Sequence, residues 1–122
     1  MSPPSAPFAP PAHIAPYVEV LGEALAIRFF LAFGGSELYL PRRPDRSMVV
    51  ELTGPDKAAM LAEHLGPGIV RVPIPKPWLA AVLEREGKSK AAIARLLHVD
   101  QTTVRRWAAR ARDRTQLSLF DT

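Results

Sequence analysis

The chain has 122 residues, of which 48% are hydrophobic and 23% charged, and carries a formal net charge of +4. That length suits one small domain, or a domain with a module attached, and a modest core. Cysteine is absent, which excludes disulfides and thiolate metal sites and points to a reducing, cytoplasmic compartment.

The opening M-S-P-P-S-A-P-F-A-P-P has no basic stretch followed by an apolar run, so a secretory signal is not expected. Ala24 to Phe33, the most apolar stretch, is interrupted by Arg28 and too short to span a bilayer, so no membrane partner is expected. The charge is uneven: residues 1–75 sum to −1, residues 76–114 to +6 and residues 115–122 to −1. A basic field confined to one module is what contact with phosphates requires, and a protein bound to the nucleoid is the expected setting.

Residues 1–16, rich in proline and almost uncharged, read as a disordered, extended arm. From Val18 to Pro73 the chain repeats itself. A shift of 32 residues superimposes Val18 on Val50, Glu19 on Glu51, Gly22 on Gly54, Ala26 on Ala58, Gly34 on Gly66 and Pro41 on Pro73, six identities in 24 positions. In the second copy Pro55 suits a first helical turn and Gly66 a stop, which predicts a helix over 55–65 with Ala58, Leu61, Ala62 and Leu65 on one face. Alignment then predicts a helix over 23–33.

That first-copy helix is apolar nearly all round and has to be buried on more than one face. A second subunit is the simplest cover in so small a chain, which predicts a homodimer; the alternative is cover by the second-copy helix and the strands of the same chain. Each helix is followed by a glycine turn and a short strand, 36–40 and 69–72, able to pair with the other. Leu38 and Leu40 share one strand face, matched by Val70 and Val72, while Arg71 takes the place of Tyr39. Arg42, Arg43 and Arg46 follow as a small basic loop. The whole of residues 17–75 thus reads as a duplicated helix-turn-strand dimerisation domain.

Residues 76–114 read as a tri-helical helix-turn-helix module. Lys76-Pro77-Trp78 opens a supporting helix to about Glu86, with Trp78, Leu79, Val82 and Leu83 facing inward, and Ser89 caps the next one. Ile93, Ala94 and Leu97 form one apolar stripe and Val104, Trp107 and Ala108 another, with a three-residue break between the helices. Asp100 is placed to cap a second helix running to about Arg112.

Gln101, Thr102, Thr103, Arg105, Arg106 and Arg110 then project outward as donor-rich side chains suited to base edges and phosphates of double-stranded DNA. Lys88 and Lys90, near the preceding helix start, can reach a phosphate. His98 stands where helix-turn-helix proteins usually carry glycine with positive φ. Residues 115–122 read as a flexible tail, in which Gln116, Leu117, Ser118, Leu119 and Phe120 match the peptide by which bacterial replication and repair proteins hold the sliding clamp; the alternative is apolar packing onto the domain. His13, His64 and His98 are isolated and no phosphate-cradling glycine motif occurs, so catalytic residues, metals, cofactors and enzymatic activity are not expected.

The run A-F-G-G-S-E-L-Y-L-P at 32–41, following G-E-A-L-A-I and followed by a C-terminal helix-turn-helix, resembles the Mor-like (middle operon regulator) transcription activators of transposing phages. The resemblance implies a dimer formed by N-terminal helices and strands, paired helix-turn-helix modules on a promoter, and RNA polymerase as a further partner. It also implies support of DNA contact by Gly34, Gly35 and Tyr39. The second copy, G-P-G-I-V-R-V-P, places Arg71 as the alternative to Tyr39 in that role. The expected function is a sequence-specific DNA-binding transcription activator, with a DNA-bound accessory protein that tethers the clamp as the alternative.

Overall fold

The computed structural model describes residues 9–40, 48–66 and 68–120, with side chains up to residue 113. The chain divides into one unit spanning Pro10–Ile74 and another built from Pro75 onward. In the first, α1 (Ala15–Leu21), α2 (Glu23–Phe33) and β1 (Glu37–Leu40) are followed by α3 (Met48–Thr53), α4 (Pro55–Leu65) and β2 (Gly68–Arg71). The second holds α5 (Lys76–Arg85), α6 (Lys90–Leu97) and α7 (Gln101–Phe120). The architecture is mainly helical with one small two-stranded antiparallel sheet. No described helix is long and apolar enough to cross a membrane.

Helices α2 and α4 have the bounds their glycines and Pro55 imply. The expected extended arm does not run to residue 16. Pro11 already accepts from the amides of Ile14 and Ala15, Ile14 is completely buried, and α1 starts at Ala15. Pro16 sits in the first turn, where its missing N–H costs nothing, so a residue read as a helix breaker is a helix starter. The sequence reading also passed over α1 and α3. The signal for α1 was present: Tyr17, Val20 and Leu21 have helical spacing and are all buried.

Ala26, Ile27, Phe29, Phe30 and Phe33 of α2 are buried within the chain, leaving Ala24, Arg28, Leu31 and Ala32 as an outer strip. The helix packs on α1 and α3. Tyr17 and Phe30 meet edge to face with centroids 5.0 Å apart, and Phe29 and Phe33 do so at 5.2 Å, an arrangement favoured by the ring quadrupoles. Most of the cover expected from a second subunit is therefore supplied internally, and Leu31 stays exposed. Burial also pushes the Tyr17 phenol above its ordinary pKa.

The strands pair antiparallel in the register Glu37 with Arg71, Leu38 with Val70, Tyr39 with Ile69, and Leu40 with Gly68. Val72 extends the ladder by donating to the Ser36 carbonyl at 2.8 Å and accepting from Gly35 at 2.8 Å. Leu40 and Val72 are buried, whereas Glu37, Tyr39, Ile69 and Arg71 make an exposed outer face. The expected basic loop at residues 42, 43 and 46 lies outside the described residues.

In the second unit α5, α6 and α7 pack pairwise around Leu79, Val82, Leu83, Ile93, Leu97 and Val104, all 3% exposed or less. Helix α7 continues to Phe120, so the expected flexible tail is helical over most of its length. Its physical reason is composition: Arg114, Gln116, Leu117 and Leu119 are good helix formers, and neither glycine nor proline interrupts the run.

Candidate nucleic-acid interface

The site is built on α6 and α7, and the turn between them sets their crossing. Ser89 Oγ accepts from the Ala92 amide at 3.1 Å, the N-cap bond that starts α6. At the other end His98 is left-handed, with φ 57° and ψ 48°, and its amide donates to the Ala94 carbonyl. Val99 donates to the same carbonyl at 3.0 Å. Among the described residues, His98 is the one non-glycine with positive φ. Histidine thus occupies the conformation in which glycine would be unstrained, and the departure seen in the sequence is a departure in residue type and not in geometry.

Asp100 starts α7 with its main-chain carbonyl, which accepts from Thr103 at 3.0 Å and Val104 at 3.2 Å. Val104 is 1% exposed and fixes the helix onto α6 and α5. Trp107 and Ala108 are half-buried beside it, so the tryptophan flanks the seam instead of filling it. The rotation this imposes leaves Gln101, Thr102, Arg105, Arg106 and Arg110 exposed, with Thr103 half-buried at the margin.

Two of the arginines are held along the helix. Arg105 Nη2 donates to Gln101 Oε1 and Arg106 Nη2 to Thr103 Oγ1, each at 3.4 Å. These long, solvent-exposed bonds orient the guanidinium groups without sequestering them, since net hydrogen-bond energies are small where water competes. Lys88 is exposed. Lys90 is not equivalent to it: Nζ lies 3.6 Å from Glu84 Oε2, tying the start of α6 to α5. Arg95 on α6 and Arg112 on α7 are further exposed cations that the sequence reading did not single out; their signal is charge at positions outside the apolar stripes.

The other expected positions divide differently. Gly34, Gly35, Tyr39 and Arg71 lie in the first unit, and Tyr39 is 62% exposed opposite Ile69. Arg71 faces Glu37 at 3.7 Å, so it does not stand in Tyr39's cross-strand position although it shares the outer face. Gly34 has a packing role, because a Cβ there would lie 2.5 Å from the Phe30 carbonyl oxygen and 2.9 Å from Ile74 Cβ. Gln116, Leu117, Leu119 and Phe120 belong to α7 by backbone, and their side chains lie outside the described residues. Among the described residues no group of three or more His, Asp or Glu is placed to hold a metal ion.

Residues 82–117 match the family described as the CENP-B N-terminal DNA-binding domain. The match begins inside α5, takes in all of α6 and the turn at His98, and ends within α7. The match supports a DNA-binding domain of the helix-turn-helix type within the unit from Pro75 onward, with DNA as its partner. The matched family is not the Mor-like one, and it is non-enzymatic. No curated protein and no solved structure matches the chain.

Proposed function

We propose that the protein is a sequence-specific DNA-binding regulator of transcription, acting as an activator in the manner the Mor-like resemblance implies. The observation that carries the proposal is the donor-rich outer face of α7, seated by buried Val104 in a unit that matches a DNA-binding domain. Thr102 and Arg106 lie nearly opposite Val104 on the helix and are the residues to enter a major groove, with Gln101 and Arg105 on one flank and Thr103 and Arg110 on the other. Lys88 is assigned to a phosphate; Lys90 is ranked below it because Glu84 already engages it.

Activation and polymerase contact rest on the resemblance of residues 32–41, with Tyr39 exposed and available on the outer sheet face. The homodimer expected from α2 has less to support it, because Ala26, Ile27, Phe29, Phe30 and Phe33 are buried within one chain and Leu31 is the exposed large apolar residue of that helix. The clamp-tethering alternative needs Gln116 to Phe120 as an extended strip, whereas α7 holds that backbone as helix. Retention of the intact protein on purified clamp would favour the alternative.

The proposal is tested by incubating the intact protein with a random pool of DNA duplexes and sequencing what is retained over several rounds. A common sequence of a few base pairs is the expected result. Duplex retention without any enriched sequence would overturn the claim of specificity, and failure to retain duplex at low salt would overturn the function itself.

A further inference from the structure

The two halves of the first unit are related more closely than six identities suggest. Moved by 32 residues, α2 coincides with α4 at both ends, and α1 overlays α3 to within a residue. Gly22 and Gly54, which separate each helix pair, share an unusual conformation, φ 80° and ψ 160° in one, φ 88° and ψ 158° in the other. Buried positions correspond where residue types do not: Tyr17 with Val49, Phe29 with Leu61, and Phe30 with Ala62. The first copy is the bulkier at each, which keeps the common core filled while hiding the kinship from a count of identities.

The strand register carries the argument further. Under an exchange of the two copies, the pair Glu37 with Arg71 becomes Ile69 with Tyr39, which is itself a pair of the ladder, and Leu38 with Val70 maps onto itself. The ladder therefore has a local two-fold axis that passes between Leu38 and Val70. Helix packing obeys the same exchange, because α1 packs on α4 and α3 packs on α2. A two-fold, self-complementary contact of this kind is how identical subunits associate.

We propose that Pro10–Ile74 is a fused dimer, in which the two-fold interface between two copies of an α-α-β unit is closed within one polypeptide. Each core then carries one helix-turn-helix in place of two. A symmetric pair of modules reads an inverted repeat, whereas one module per core reads a single, non-palindromic segment of duplex. This last step rests on the DNA-binding function proposed above; the fused core does not.

Two measurements on the full chain separate those claims. Native mass spectrometry and light scattering at micromolar concentration should give the 13.4 kDa of one chain, and a particle of twice that mass would overturn the fused core. The chain has no cysteine, so Glu37→Cys/Arg71→Cys makes a clean cross-link reporter. Hydrogen bonding of Val72 to Ser36 puts the 37–71 pair in the narrow, non-hydrogen-bonded register that brings Cβ atoms close.

Oxidation should produce an internal disulfide that leaves the chain monomeric on a non-reducing gel, and a covalent dimer would overturn the proposal. Should that variant misfold, Tyr39→Cys/Ile69→Cys samples the same register and the wild-type mass decides independently. In the DNA arm, one chain per bound duplex and an enriched sequence without inverted symmetry are expected. Two chains on an inverted repeat would overturn the single-segment reading; no duplex binding at all would remove the DNA function while leaving the mass and cross-link results to stand.

Discussion

The two units solve the same burial problem in opposite ways. Pro10–Ile74 gathers aromatic rings, Tyr17, Phe29, Phe30 and Phe33, in its core, and among its described residues the exposed charges lean acidic, with Glu19, Glu37, Glu51, Asp56 and Glu63 against Arg28 and Arg71. The unit from Pro75 onward buries one aromatic side chain, Trp78 on α5, and seats α6 and α7 with small and aliphatic residues, Ala94, Ile93, Leu97 and Val104, which leave an arginine-rich face outside. One is organised around its interior and the other around its surface. Core substitutions should therefore distinguish them by stability, and surface substitutions by binding.

The largest effect is expected from Phe30→Ala, at about 3–5 kcal/mol, since it removes a fully buried ring from the aromatic cluster. Both tryptophans, Trp78 and Trp107, lie in the second unit, so their fluorescence reports that unit alone. In urea, Phe30→Ala should move the circular-dichroism transition to lower denaturant while leaving the tryptophan transition in place. Ile93→Ala should move the tryptophan transition by about 2–5 kcal/mol instead. A single transition shifted equally by either substitution would show that the two cores are one cooperative system.

Next in size are the two glycines that end α2 and α4. Gly34→Ala is expected to cost about 1–3 kcal/mol because the new methyl would press on the Phe30 carbonyl and Ile74. Gly66→Ala meets nothing within 4 Å, but its φ of +87° strains an L-residue, at about 1–2 kcal/mol. The two are distinguished by Gly34→Ser, which should be worse than Gly34→Ala, while Gly66→Asn should recover part of the loss at that position. In the second unit Ser89→Ala should cost about 1 kcal/mol in the tryptophan-detected transition by removing the cap on the Ala92 amide. The smallest effect has the opposite sign: His98→Gly should raise stability by about 0.5 kcal/mol, relief of the left-handed strain outweighing the added entropy of the unfolded chain.

What could be read from the sequence follows from this contrast. Glycines 22, 34, 54 and 66 and Pro55 punctuate the first unit so firmly that α2 and α4 were legible to the residue, and the strand pairing followed from the repeat. The short helices were not: for α1, Pro16 was weighed as a breaker and not as a first-turn residue, and α3, at six residues, is too short to show a helical period. In the second unit the stripes at 93, 94, 97 and 104 revealed the helix pair, and the charge left over revealed its face. The engagement of Lys90 by Glu84 depends on how α5 and α6 cross, which no local pattern encodes. The continuation of α7 to Phe120 was missed for another reason: a short peptide motif was given precedence over plain helix propensity.

The claim on which the functional account turns is that the outer face of α7 reads base edges. Its most direct measurement is the affinity of Arg106→Ala, beside that of Lys88→Ala, for the selected duplex and for single-base variants of it, titrated across a series of salt concentrations. Loss of about 1–3 kcal/mol for Arg106→Ala, with discrimination relaxed at one base pair, is the predicted result, together with a uniform weakening and a salt slope lower by about one for Lys88→Ala. Unchanged affinity and unchanged discrimination for Arg106→Ala, with Arg105→Ala equally silent, would contradict it.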